Sequence, residues 1–421
     1  MDDPAEQLDC YLVGGAVRDA LLGLTTRDRD WVVIGSSPED MLALGFQPVG
    51  QDFPVFLHPQ THEEYALARR ERKVSPGYRG FAIDASSHVT LEEDLARRDL
   101  TINAIARARD GRLIDPWHGA QDIEQRQLRH VSASFAEDPV RILRVARFAA
   151  RYTGLGFTVA EETVALMRTM AAGGEIDALV AERVWQEIKD ALSEDYPRRF
   201  FETLSECQAL HRLLPELDHI ATNPDSNQVP NGVPCTRALN ALDKRAALSS
   251  DPRIRFAALV HGLGDTDATP LSPSTNHSAP RAGFLLQELC DRLRVPKHYR
   301  RLATMVANGV GPMGRLKDLA PHHILSLLQS IDAFRKPDQI ADFVCACQAV
   351  LLAHGHADEE VTGTCEQLQR CFEAARNVDF GNLATNDCSG EAIRTVVAEG
   401  RLDAIALTLA KSRLTLWPDD K

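Results

Sequence analysis

No stretch of this 421-residue chain strings together the roughly 18 apolar residues that a membrane-spanning helix needs. The first nine residues, Met1 to Asp9, are acidic and polar and predict neither a signal peptide nor a transit peptide. None of the nine cysteines forms a Cys-x-x-Cys pair, and the odd, scattered set fits reduced thiols in a cytoplasm better than disulfides or a zinc knot. Proline and glycine are in no excess, and 44% hydrophobic with 25% charged residues is the composition of an ordinary globular protein. The chain is too long for one core and should hold two to four compact units. Positive charge is also short: 47 Lys and Arg against 60 Asp and Glu leave a formal charge of -13. That argues mildly against nucleic acid, yet counterion release depends on local clusters rather than on the total. Such clusters exist at Arg69-Arg70-Glu71-Arg72-Lys73, at Arg97-Arg98, from Arg141 to Arg151 and from Arg294 to Arg301. An acidic chain with basic islands can present one RNA-binding face.

Up to about Val131 the pattern is mixed. Tyr11-Leu12-Val13 is a short apolar run ending in Gly14-Gly15, and Val17 to Leu22 predicts a helix that stops at Gly23. Trp31-Val32-Val33-Ile34 is β-rich and ends at Gly35-Ser36, a strand that would take in the two carboxylates if it began at Asp28, and Ser37-Pro38 follows as the cap and first residue of a helix through Ala43. Pro54 to His58, Tyr65 to Arg69 and Leu113-Ile114 are further strand candidates. From Asp138 the period becomes helical, over Val140 to Tyr152, Ala160 to Met170, Ala181 to Leu192 and Arg198 to Leu204. Ala221 to Pro234 reads as a linker and Gly264 to Pro280 as a mobile loop; helical patterns then continue. The expected class is α+β, a small N-terminal sheet domain followed by helices.

Gly14-Gly15-Ala16-Val17-Arg18-Asp19, followed by Asp28-Arg29-Asp30-Trp31-Val32-Val33, carries the strongest chemical signal. On a strand, residues two apart share a face, so Asp28 and Asp30 would point the same way. Two short carboxylates on one face suit hard cations such as Mg²⁺. Such ions assist in-line displacement on a triphosphate. Gly14-Gly15 ahead of a helix offers backbone N–H groups to phosphate. A charged turn and a tight bend would explain either motif alone; their order and spacing together favour the metal site. The arrangement resembles the polymerase β-like nucleotidyltransferases, which implies a third carboxylate on a neighbouring strand. Glu64 is the candidate, with Glu63 and Glu71 as competitors.

Arg97-Arg98-Asp99-Leu100-Thr101-Ile102-Asn103-Ala104 reads as a helix on which Arg98 would hold phosphate oxygens. Asp99 and Asn103, at i and i+4, would reach a ribose hydroxyl, although a solvated helix face would carry the same residues. Further on, Arg141, Arg144, Arg147 and Arg151 fall in one stripe of a helix that follows Asp138-Pro139. A merely solvated face normally mixes signs. Capping alone explains Asp138. A carboxylate beside an arginine one turn away would also pair with the amine and ring nitrogen of cytosine or adenine, and reject uracil and guanine. Asp138 and Arg141 are placed to do so.

YLVGGAVRDALLG, DRDWVV, RRDLTINA and EDPVRILRVARFAARY, in that order, resemble the bacterial CCA-adding enzymes (class II tRNA nucleotidyltransferases), especially their multifunctional branch. The resemblance runs from Tyr11 to about Asp218. It implies a catalytic head (1–136), a neck with a base-reading helix (137–222), a body (223–330) and a tRNA-binding tail (331–421). It implies that Gly15 and Arg18 contact the nucleotide, that Asp28 and Asp30 hold Mg²⁺, and that Arg98, Arg144 and Arg147 bind ATP or CTP. Asp138 with Arg141 would be the protein template for C or A, and tRNA the acceptor. The alternatives are an A-only adding enzyme or poly(A) polymerase, and a non-catalytic RNA-binding relative. Nothing in the sequence fixes the oligomeric state. The branch also implies an HD-type phosphohydrolase domain, but here the stretch reads Leu259-Val260-His261-Gly262-Leu263. Glycine cannot ligate a metal through a side chain, and the other His positions read Thr275-Asn276-His277-Ser278 and Asn308-Gly309-Val310. The expectation is a retained helical scaffold without hydrolase chemistry, His261 being a leftover core or surface histidine. Metal binding at His322-His323 and at His354-Gly355-His356 is not expected.

Overall fold

β1 (Asp9–Val13) runs into Gly14, whose φ of 66° is open to glycine at no steric cost, and α1 (Gly15–Leu21) starts on the next residue. The helix ends where expected. Gly23 has a φ of 71°, and Leu24 N–H returns to the Asp19 carbonyl at 2.8 Å. β2 spans Asp30–Ile34, so it takes in Asp30 ahead of the expected Trp31 to Ile34 run but does not begin at Asp28. Its last partner on β1 is Val13, opposite Asp30, and beyond that pair the Gly14 turn leaves Asp28 and Arg29 no strand to join. α2 (Pro38–Ala43) is closed by a reciprocal capping box, Asp40 N–H to Ser37 Oγ and Ser37 N–H to Asp40 Oδ2.

β3 (Gln47–Val49), β4 (Val55–Leu57) and β5 (Glu64–Leu67) extend the sheet on one side, and β8 (Ala106–Arg107) and β9 (Leu113–Ile114) on the other. The strand order is β3-β4-β5-β2-β1-β8-β9, with β2 and β5 parallel and the other pairs antiparallel. A separate antiparallel pair is formed by β6 (Arg70–Lys73) and β7 (Phe81–Asp84); Ala68 and Arg69, the end of the expected Tyr65 to Arg69 strand, lie between β5 and β6 and belong to neither. One face of the sheet buries Cys10, Val33, Met41, Phe46, Tyr65 and Leu67. The other buries Val13, Val32, Leu91, Leu95, Ala104 and Ala106 beneath α3 (Leu91–Ala96).

The structure, a computed structural model, describes residues 3–26, 28–49, 55–73, 81–217, 236–246, 249–263, 279–379 and 390–415. Two units result, Met1–Pro215 and Glu216–Lys421. In the first, α4 (Gly119–Glu124) precedes a helical part formed by α5 (Val140–Tyr152), α6 (Glu161–Ala172), α7 (Ala181–Ser193), α8 (Pro197–Glu206) and the single turn α9 (Leu210–Leu213). α5 packs on α7 and α8, and its Ile142, Leu143, Val145, Ala146 and Ala149 are buried. Residues 97–104 are not the single helix expected. α3 ends at Ala96, Leu100 is extended and bridges to His130, and Thr101–Asn103 forms one 3₁₀ turn.

The second unit is all helical among its described residues: α10 (Thr236–Ala246), α11 (Pro252–Val260), α12 (Ala279–Arg292), α13 (Lys297–Gly314), α14 (Pro321–Ser330), α15 (Asp338–Ala353), α16 (Asp358–Arg376) and α17 (Gly390–Thr415). The expected linker, Ala221 to Pro234, lies outside the described residues, as do Thr275 to Ser278 and the expected loop up to residue 278. Gly262 sits in the turn His261–Leu263. His261 is buried, its Nδ1 2.7 Å from the Ala258 carbonyl and its Nε2 3.2 Å from His354 Nε2, a partner the sequence did not suggest. Gly309 is required by packing, because a Cβ there would meet the Phe343 ring at 2.6 Å. No described helix is long and apolar enough to cross a membrane.

Candidate active site

The site grows from the end of β1. At Gly14 the backbone turns, and the Arg98 guanidinium packs so closely that a Cβ there would meet Nη1 at 3.0 Å. Arg98 reaches this place because α3 ends just before it: Nη2 donates to Asp94 Oδ2 at 3.2 Å and Nη1 to the Asn103 carbonyl at 3.4 Å. Its Nε is buried without a partner among the described residues, a donor suited to an incoming anion.

Asp30 opens β2 and stands directly opposite Glu64 on the parallel strand β5, so both carboxylates share the sheet face of Val32 and Ala66. Asp28 lies before the strand, exposed like Asp30 and Glu64. Close-packed surroundings raise the Asp30 carboxyl above its ordinary value, Arg98 draws it down and the nearby Asp28 raises it again. Glu63, one of the alternatives, is taken up by Trp31 Nε1 at 2.8 Å and by Arg29. The side chain of Glu71, the other, lies outside the described residues.

Behind this corner runs a continuous polar chain. Arg18 is buried against the Phe148 and Tyr152 rings; its Nε donates to Asp19 Oδ1 at 2.9 Å and its Nη1 to Asn103 Oδ1 at 2.5 Å. The Asn103 amide donates to Asp99 Oδ1 at 2.9 Å, and Arg144 Nε donates to Asp99 Oδ2 at 2.8 Å. Burial alone would raise the Asp99 carboxyl, but the Arg144 charge, the Asn103 amide and the Leu100 N–H hold it well below the usual carboxylate range. Asp99 and Asn103 are thus brought together through a turn rather than the helix face expected, and bond to each other.

The arginine stripe of α5 is not a free cationic face. Arg144 and Arg147 both face Glu187 of α7, at 3.8 and 2.6 Å. Arg141 is turned inward, donating to the carbonyls of Ser134 at 2.9 Å and Arg97 at 2.5 Å. Asp138, just before α5, accepts from Val140 N–H at 3.1 Å and from Arg183 of α7 at 2.9 Å. So Asp138 and Arg141 are close in sequence, but each side chain has other partners.

Three residues escaped the sequence reading: Asp94, fully buried between Arg97 and Arg98, and the α7 pair Arg183 and Glu187. An i, i+4 pair of opposite sign usually signals a solvated helix face, and that ambiguity hid them.

The donors fit a hard divalent cation: carboxylates only, Asp28 lying near enough to raise the Asp30 carboxyl, beside a cation that a phosphate would match. Among the described residues no three His, Cys, Asp or Glu side chains converge on one point. Asp28 and Asp30 would hold such an ion with Glu64 alongside, and the remaining ligands would be triphosphate oxygens and water.

The family model described as Poly A polymerase head domain matches residues 10–129, and that described as probable RNA and SrmB- binding site of polymerase A matches residues 156–220. A multifunctional CCA protein from Thioalkalivibrio sulfidiphilus (strain HL-EbGR7) is 49% identical over 400 residues, 94% of this chain and 97% of its own length. In fold, the chain is similar to a CCA-adding enzyme in apo form II, with a TM-score of 0.68 at 19% identity over 98% of this chain and 93% of that one. It is also similar to a CCA-adding enzyme in complex with CTP, with a TM-score of 0.66 at 20% identity over 99% of this chain and 94% of that one.

Proposed function

The chain belongs to the family of the multifunctional CCA proteins, and on that premise we propose that its first unit carries one nucleotidyl-transfer site, with Asp28 and Asp30 as the metal-holding carboxylates and Glu64 beside them. The chain is a CCA tRNA nucleotidyltransferase: it adds C, C and A to the 3′ end of tRNA from CTP and ATP. The tRNA 3′-hydroxyl oxygen bonds to the α-phosphorus, the bond from that phosphorus to the oxygen bridging to the β-phosphate breaks, and pyrophosphate leaves with the electron pair as the hydroxyl proton is released. The observation that carries the site is the in-register pair Asp30 and Glu64, set against Arg98 where that guanidinium packs on Gly14.

The family uses divalent metal, and we take it to be Mg²⁺. What the metal supplies when bound is activation of the hydroxyl and neutralisation of the leaving group. The chain's own residues do the rest. The Gly14-Gly15 turn and Arg98 cradle the triphosphate, Arg144 and Arg147 add charge to it, and Arg18 anchors the corner. Asp99 and Asn103 face the ribose, and Asp138, with Arg141 bracing its helix, faces the base. Most of the rate comes from positioning and preorganised charge.

The head (1–136), neck (137–222), body (223–330) and tail (331–421) are the proposed division, supported by the change from sheet to helices after Asp138. tRNA would be read by shape and backbone on the basic islands of the helical half. The body is proposed to lack phosphohydrolase activity, since Gly262 offers no ligand and His261 is tied to Ala258 and His354. A cytoplasmic location is proposed from the acceptor and from the odd, scattered set of cysteines in the sequence. The poly(A) polymerase reading keeps some support from the head-domain match. Supplying CTP and ATP singly and together to tRNA that lacks its CCA end decides between the two: incorporation of A without C would reverse the conclusion.

A further inference from the structure

Asp94, in α3, is completely buried, and its two oxygens have different partners. Oδ1 accepts from Arg97 Nε at 3.1 Å, from Arg97 Nη2 at 2.6 Å and from the Arg69 N–H at 3.3 Å. Oδ2 accepts from Arg98 Nη2 at 3.2 Å. Arg97 Nε also donates to the Arg69 carbonyl at 3.0 Å, so Asp94 and Arg97 together hold Arg69 by both its main-chain polar groups. Arg69 comes just after β5, the strand that sets Glu64 opposite Asp30. One buried carboxylate therefore touches the backbone leaving the metal side of the site and the arginine on its phosphate side.

Burial alone would raise the Asp94 carboxyl, but Arg97, Arg98 and the Arg69 N–H hold it below its ordinary value. Its single negative charge is shared by two guanidiniums, and Arg97 makes the shorter contact, 2.6 Å against 3.2 Å. Arg98 is thus oriented without being neutralised. We infer that Asp94 is a positioning residue for nucleotidyl transfer, which holds the Arg98 guanidinium at the Gly14 turn in a fixed place relative to the Glu64 strand. Arg97 is then the counter-ion of Asp94, leaving the charge of Arg98 for the triphosphate. The inference rests on the reading of Arg98 as a triphosphate-holding group. An arginine already fixed in place loses little side-chain freedom when the nucleotide binds. A carboxylate that only braced α3 would need Arg97 and Arg69 but not the contact of its second oxygen with Arg98.

The test separates the two oxygens, in the full chain. In Asp94→Asn the amide oxygen can still receive Arg97 and the Arg69 N–H, and the amide nitrogen, a donor, then faces the donor of Arg98. KM for CTP, KM for ATP and the inhibition constant of inorganic pyrophosphate are expected to rise together by about tenfold, the loss of one charge-assisted hydrogen bond, with KM for tRNA unchanged. Arg98→Ala must itself raise the nucleotide and pyrophosphate constants; if it does not, the triphosphate reading of Arg98 fails and the inference with it. The double variant, Asp94→Asn with Arg98→Ala, decides the rest. If Asp94 acts through Arg98, its constants equal those of Arg98→Ala alone. If Arg98→Ala raises them while Asp94→Asn leaves them intact, or if the two losses add, Asp94 is a strut of the fold and the inference is overturned. Should Asp94→Asn melt below the assay temperature, Asp94→Ser is read by the same outcomes.

Discussion

Asp30 and Glu64 face each other across the parallel strands β2 and β5, with both carboxylates on one face of the sheet and Asp28 close enough to raise the Asp30 carboxyl. A carboxyl whose folded pKa lies above its unfolded value opposes folding once ionised. The penalty is absent well below the unfolded value of about 3.9 and grows as pH rises through the folded value. Metal-free Asp30→Asn should therefore melt higher than wild type at about pH 7, and the advantage should disappear in acid. Adding Mg²⁺ should reverse the order, because only wild type gains binding energy. Glu64→Gln should show a smaller metal response than wild type. Thermal melts with and without metal check all three.

Asp99 shows the opposite sign. Arg144, Asn103 and Leu100 hold its carboxyl below the usual range, so its stabilisation is fully present above about pH 4 and is lost as pH falls through the lowered folded value. Asp99→Ala leaves Arg144 without this carboxylate and should cost about 3 kcal/mol in urea unfolding at neutral pH. The difference from wild type should shrink only in strong acid.

Gly14 serves twice, as a residue at φ 66° and as the surface on which Arg98 lies. Gly14→Ala should cost roughly 1–3 kcal/mol of backbone strain and push Arg98 off the turn. Nucleotide KM should rise for CTP and ATP together, with the C-against-U ratio unchanged. Steady-state kinetics with each triphosphate reads both.

In the second unit His261 spends its ring nitrogens on Ala258 and His354, and Gly262 stands where a ligand would be needed. p-Nitrophenyl phosphate with added Mg²⁺, Mn²⁺ or Ni²⁺ should show no turnover above the metal-only blank. Turnover abolished by His261→Ala would contradict this.

Local signals were legible where short-range physics governs. The Asp138-Pro139 start and the apolar period of α5 set the span Val140–Tyr152 that the structure shows, and Ser37 caps α2 ahead of Pro38 as expected. What stayed hidden was non-local. The i, i+4 spacing of Asp99 and Asn103 suggested a helix, but a 3₁₀ turn brings the two together just as well. The α5 arginines looked like a free stripe because Glu187, Asp99 and the carbonyls of Ser134 and Arg97 that pair with them come from other elements. The place of Glu64 beside Asp30 depends on parallel strand pairing, which a single sequence does not specify.

The central claim is that this chain adds C, C and A to tRNA at a site built on Asp28 and Asp30. Radiolabelled CTP and ATP, supplied singly and together to tRNA lacking its CCA end, test it most directly. Wild type should add C with CTP alone and complete the end with both, while Asp28→Ala and Asp30→Ala should each fall by about a hundredfold or more while remaining folded. Addition of A without C, or full activity in the double variant Asp28→Ala with Asp30→Ala, would contradict the account.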